Sequence, residues 1–275
     1  MRTILIVARK EIQEGLRNRW VLATTLLLAA LALTLTFLGS APTGNVGAGA
    51  LDVVIVSLSS LTIFLVPLIA LLISHDAIVG EMERGTMLLL LSYPVGRWQV
   101  IFGKFAGHLA ILAFATLLGY GASAAVLAAT GVSIDAATWS AFLSMILSSV
   151  MLGAVFIAIG YLVSALVAER GTAGGIAIGI WLFFVLIYDM ALLGILVVDQ
   201  GRTVTGDMLN VLLLLNPADA YRLLNLGSGS VGSLSGMGGI AANAALSPAM
   251  LIAALAAWAL APLAAATLVF SRREL

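Results

Sequence analysis

Groups able to carry charge are scarce in this chain. Only 26 of its 275 residues are Asp, Glu, Lys or Arg, and 6 of them fall between His75 and Lys104. These are Asp76, Glu81, Glu83, Arg84, Arg97 and Lys104. Their order offers no nucleophile beside a base and no metal-ligand spacing. The chemistry open to them is recognition. Glu81 and Glu83 beside Arg84 can match charges on another protein, and the apolar run Met87 to Leu91 can seat in a groove or in a membrane. Gly85-Thr86 breaks the helical pattern and Tyr93-Pro94 stops it. Each charge at mid-depth in hydrocarbon costs roughly 3 kcal/mol or more, so residues 75–104 must emerge into water between two apolar segments. A helix-break-helix order over this length is more than a passive loop needs. It predicts a lever gripped by a partner.

Other candidates are isolated. Asp189 is the deepest acid. At that depth a carboxylate marks a functional site, or it sits near the outer interface and faces water. Asp52 is expected at an interface, and His108, one turn past Lys104, at a helix contact. No Walker A sequence, His-Glu-x-x-His or Cys–His cluster occurs. With no cysteine, disulfides and thiolate metal sites are excluded. Met145 and Met151, six apart, do not share a helical face. Catalytic, cofactor-binding and metal-ligating residues are therefore not expected in this chain. Gly175-x-x-x-Gly179 fits helix packing.

The elements that position these groups follow from composition. The chain is 62% hydrophobic and 9% charged, against about 25% charged in a soluble domain. Runs of 18 or more apolar residues predict an all-α integral membrane protein. Residues 1–19 alternate Arg, Lys and Glu with Leu5, Ala8, Ile12 and Leu16 at helical spacing. They read as an amphipathic interfacial helix or as a basic flank that orients the first span. Six transmembrane helices are expected near 20–38, 53–74, 105–129, 139–166, 176–198 and 249–270. Short loops are expected over 39–49 and 131–138. A long extracytoplasmic segment spans 199–248, where Asn216-Pro217 reads as a helix start and 227–239 is mostly Gly and Ser. The side holding the N-terminal arm, the 75–104 stretch, Arg170 and the C-terminal arginines carries 11 Lys or Arg, against Arg202 and Arg222 opposite. The basic side, with both termini, is expected in the cytoplasm.

Glu81-x-Glu83-x-Gly85-Thr86, the Leu-rich Ser-Tyr-Pro-Val-x-Arg-Trp run to Trp98, and Gly103-Lys104 resemble the ABC-2 type permeases, the membrane subunits of ATP-binding-cassette exporters. The likeness covers the whole chain, read as a single transmembrane domain, 1–275. It implies that Asp76, Glu81, Glu83, Arg84, Gly85 and Thr86 belong to a cytoplasmic coupling helix between spans two and three that docks on a separate ATPase. His75-Asp76-Ala77-Ile78 and Leu215-Asn216-Pro217-Ala218-Asp219-Ala220-Tyr221-Arg222 narrow the likeness to permeases that support maturation of the copper enzyme nitrous-oxide reductase. That implies a second copy of this chain, cytoplasmic NosF-type ATPase subunits holding ATP and Mg, and a periplasmic NosD-type protein, in a bacterial inner membrane. Asn216, Pro217, Asp219, Tyr221 and Arg222 would then meet the periplasmic partner or close a pathway. Membrane lipid is the remaining partner, and nucleic acid is not expected. Two alternatives stay open: an exporter subunit for a small molecule, lipid or ion, and a non-transporting membrane anchor of an enzyme complex. A secondary transporter would need paired midplane charges, and Asp189 has no evident basic partner in the sequence.

Overall fold

The computed structural model describes residues 2–17, 19–39, 50–129, 135–199, 203–227 and 246–273. The loop expected over 39–49 and the Gly/Ser stretch over 227–239 fall largely outside them, as do residues 131–134 and Arg202. The rest of the loop expected over 131–138 is the Asp135 cap and the first turn of a helix that starts at Ala136. The described residues are helical, with no strand among them. The helices are α1 (Arg2–Arg17), α2 (Arg19–Gly39), α3 (Ala50–Ser74), α4 (Val79–Glu83), α5 (Thr86–Leu91), α6 (Arg97–Ala129) and α7 (Ala136–Leu166). α8 (Arg170–Leu182) and α9 (Tyr188–Asp199) are joined by a π-helical turn, Phe183–Ile187. α10 (Gly206–Leu214), α11 (Pro217–Leu226) and α12 (Pro248–Arg272) complete the chain.

Among the described residues, five helical stretches are long and apolar enough to cross a membrane. They are Asp52–Glu83, Arg97–Val126, Ala136–Leu166, Arg170–Asp199 and Pro248–Arg272. The expected first span falls in α2, which adds a shorter apolar stretch, Thr25–Leu35. α7 is the central post, packed by α3, α12, α6 and α11. Phe142, Met145, Leu152, Phe156 and Tyr161 make its buried surface.

The ends of α3, α7 and α12 and the starts of α6 and α8 gather at one basic end. A helix ends with unsatisfied carbonyls that attract donors and positive charge. Arg97 Nη1 supplies both to α12, donating to the carbonyls of Phe270, Ser271 and Arg273 at 3.0, 3.0 and 2.7 Å. Arg273 donates in turn to the Ala165 carbonyl at the end of α7, at 2.9 Å.

α6 starts eight residues before the expected third span, so Lys104 lies in a continuous helix. At 33 residues it is about 50 Å long by helical rise, well beyond a hydrocarbon core of about 30 Å. α1 runs beside this extra length. Gly103 and Gly107 let its backbone close in: a Cβ at Gly103 would lie 2.7 Å from Val7 Cβ, and one at Gly107 would lie 3.0 Å from the Ala8 carbonyl. The face of α1 that packs is therefore Val7, Ala8 and Glu11. Of the expected Leu5, Ala8, Ile12 and Leu16 stripe, Leu5 and Leu16 point outward instead. The sequence pattern chose the apolar stripe; the glycine groove and an ion pair at Glu11 turn the helix. Substituting Gly107 with Val should push α1 off α6 and cost about 1–3 kcal/mol by overpacking. The check is a lower thermal midpoint in detergent than that of Gly121→Val, where no atom lies within 4 Å of the added Cβ.

Candidate functional site

The stretch after α3 folds as the sequence suggests. Ser164 Oγ of α7 accepts from the backbone N–H groups of Ile78 and Val79, both at 3.0 Å, and so fixes the start of α4. Gly85 takes φ +70° between α4 and α5, a left-handed conformation that glycine adopts without penalty. Met87 is fully buried and anchors α5, while Leu88 and Leu89 point outward. The backbone leaves helix at Tyr93-Pro94 and re-enters it at Arg97.

The two acids of α4 have opposite fates. Glu83, Arg84 and Thr86 are exposed. Glu81 is turned inward, away from the surface that Glu83, Arg84 and Thr86 expose. Glu81 Oε1 lies 2.8 Å from Lys104 Nζ, and that ammonium lies 2.8 Å from Glu11 Oε1. The Lys104 side chain is only 3% exposed. Lys10 closes the group at 3.4 Å from Glu81, and also pairs with Glu14. The core thus balances two buried acids against two ammonium groups and joins α1, α4 and α6. Glu81 Oε2 is buried without a hydrogen-bond partner. On the far side, His108 Nε2 sits 3.5 Å from Glu11 Oε2, and its Nδ1 meets the Tyr161 hydroxyl at 2.9 Å. Burial alone would raise the Glu11 carboxyl; Lys104, His108 and Lys10 together outweigh it and hold it below the usual range. Burial works against the Lys10 ammonium, but Glu81, Glu11 and Glu14 hold it above its usual range.

A second contact joins this stretch to α8. Arg170 reaches Asp76 Oδ2 at 3.0 Å. The Arg170 backbone N–H donates to Glu83 Oε1 at 2.7 Å. A carboxylate at a helix N-terminus satisfies a free donor and complements the dipole. Beneath it, Val79, Val163 and Ala173 form a small apolar cluster.

Asp189 and the candidates of α11 meet in a third cluster. Asn216 caps α11, its Oδ1 accepting from Ala218 N at 3.0 Å, and Pro217 takes the first helical position. The Asn216 amide also donates to the Phe184 carbonyl of the π turn and to Asp219 Oδ2, both at 3.0 Å. Arg222 bridges Asp219 and Asp189. Asp189 therefore has the basic partner that the sequence left unseen. Tyr221 is fully buried, its hydroxyl 3.0 Å from Ser149 Oγ of α7. Asn225 joins Ser148 at 3.0 Å. Asn216, Pro217, Asp219 and Tyr221 are thus buried and hold α11 in the bundle; only Arg222 keeps some exposure.

The chain matches the profile of the ABC-2 family transporter proteins over residues 5–275. The chain belongs to this family. Two relatives extend the match end to end. It is 46% identical to a probable ABC transporter permease protein NosY of Pseudomonas aeruginosa PAO1 over 276 residues, covering 100% of both chains. It is also 46% identical to the protein of the same description in Stutzerimonas stutzeri over 277 residues, covering 99% of both. Like its ABC-2 relatives, the chain is a transporter permease subunit set in a membrane.

Sequence reasoning missed Glu11, Lys10 and Arg170 as site residues. Lys104 was legible as a misplaced charge once α6 is read as continuous. Its partners lie 93 and 23 residues away in the chain, and no local pattern connects them.

Proposed function

We propose that this permease couples ATP hydrolysis by cytoplasmic NosF-type ATPase subunits to a periplasmic step in copper-site assembly of nitrous-oxide reductase, in concert with a periplasmic NosD-type protein. The observation that carries the proposal is 46% identity, end to end, with probable permeases named NosY, combined with a stretch whose Glu83, Arg84 and Thr86 face outward. The basic end lies in the cytoplasm, with both termini, because positive charge is retained on that side. α2 acts as the sixth span. α1 flanks the bundle at the interface, with Leu5, Ile6 and Leu16 turned toward lipid. ATP and Mg stay on the ATPase, and copper is cargo handled on the periplasmic side.

Two copies assemble along span five, the helix formed by α8, the π turn and α9. Gly175 and Gly179 have no atom within 4 Å of an added Cβ. Bare glycine backbone gains dispersion only when another helix closes on it. Ile176, Phe183, Ile187, Met190 and Leu193 extend the outward face.

Affinity purification from the native membrane tests this reading. An ATPase together with a periplasmic protein should accompany the chain. An ATPase alone would favour a general exporter subunit for a small molecule, lipid or ion. Recovery of neither would overturn the proposal.

A further inference from the structure

Span five packs little against its own chain, yet polar contacts hold it at both ends. At the basic end, Glu83 accepts from its first backbone N–H at 2.7 Å and Asp76 pairs with Arg170 at 3.0 Å. Toward the other end, the Asn216 amide holds the Phe184 carbonyl, Arg222 holds Asp189, and the Tyr188 hydroxyl donates to the Leu212 carbonyl at 2.7 Å. Between the two sets, Trp181 Nε1 donates to the Phe64 carbonyl at 2.9 Å. Asp76 and Glu83 belong to the coupling stretch; Leu212, Asn216 and Arg222 belong to the outer segment. From Arg170 to Asp189 the helix rises about 28 Å, close to the thickness of a hydrocarbon core. One helix thus ties the coupling stretch to α10 and α11 across the membrane.

We infer that span five is the rod that carries motion of the coupling stretch to the outer segment. The apolar packing that locks the other spans to one another would resist such a displacement. Span five has little of it within its own chain, while its polar clamps fix both ends. Two copies of span five that meet in the dimer would shift together, so their seam holds neither back. The π turn at Phe183–Ile187 is the register device. A π turn holds one residue more than the α-helical turn it replaces and is common where helices adjust at functional sites. Here it lies directly under the Asn216 and Asp189 clamp, so a change between π and α geometry would shift that clamp relative to Arg170.

This inference rests on the ATPase-coupled reading, and the test separates the two. The chain has no cysteine, so Ser140→Cys and Met208→Cys place spin labels at two defined sites of each copy. The complex of the unsubstituted chain is the labelling blank, and mixing with unlabelled copies isolates the distance within one chain. Both positions are exposed, on α7 and α10. The distance between them is measured by electron–electron resonance in the complex purified with its ATPase, with and without ATP and vanadate. Trapping should shift the distance in the parent chain. Arg170→Ala should reduce the shift, and deletion of Leu186, which removes the extra residue while keeping both flanking helix faces in register, should abolish it with ATP hydrolysis retained. A parent shift that survives unchanged in both variants overturns the rod and leaves the coupled reading standing. No shift in a parent complex that hydrolyses ATP overturns both.

Discussion

Replacing Lys104 with Met should be among the most damaging single substitutions in the chain. The ammonium lies 2.8 Å from each of two buried carboxylates, Glu11 and Glu81. Removing it leaves them facing each other with Lys10, 44% exposed and 3.4–3.7 Å away, as the remaining nearby ammonium. Breaking a buried ion pair from one side costs about 3–5 kcal/mol, because the surviving charge stays desolvated. Set against a total stability of roughly 5–15 kcal/mol, that loss should appear as a large fall in thermal midpoint and in the yield of folded protein. Glu81→Gln should be milder. Lys104 keeps Glu11, and Glu81 Oε2 already has no partner to lose.

The triple variant Glu11→Gln, Glu81→Gln, Lys104→Met separates charge from shape. It removes the stranded carboxylates and should recover most of the stability lost in Lys104→Met. The same recovery should not restore coupling, if α1, α4 and α6 must move as one body. A Lys104→Met protein as stable as the parent would mean that water or protons reach the cluster, and the mechanical role of this core would fall.

The helices were legible because hydropathy and caps are local. Asn216-Pro217 marked the start of α11, Gly85-Thr86 the break between α4 and α5, and Tyr93-Pro94 the stop before α6. Pairings across space were not. Glu11 and Lys104 each read as ordinary charged residues near an interface, and nothing local says that α1 folds back onto α6. The Gly103 and Gly107 spacing does not reveal it either, since the same spacing at Gly175 and Gly179 meets nothing in the chain. Burial was equally hidden. The apolar 18-residue cores of the stretches Asp52–Glu83 and Arg170–Asp199 have the same mean hydropathy, 2.5, yet 56% and 6% of their residues are buried. Hydropathy reports tolerance of lipid, and lipid and protein interior look alike to an apolar side chain. The π turn likewise has no signature in Phe-Phe-Val-Leu-Ile; it becomes visible only where Asn216 reaches its carbonyl.

Arg222→Met should release the outer segment. Arg222 is the guanidinium shared by Asp189 on span five and Asp219 on α11. Without it, Asn216 alone would hold two carboxylates close together, one of them almost wholly buried. The expected cost is again about 3–5 kcal/mol for the stranded charge, but it falls on α10 and α11 rather than on the whole bundle. Residues 206–226 should therefore exchange amide hydrogens faster while α7 stays protected. Arg222→Lys should rescue only in part, since a single ammonium lacks the planar fork that reaches two carboxylates at once. Asp189→Asn with Arg222→Met should exchange more slowly than Arg222→Met alone, because the repulsion between the acids is gone. Unchanged exchange over 206–226 in Arg222→Met would place the anchorage elsewhere, on Tyr221, Ser149 and Asn225. Arg222 would then be left free to meet a partner.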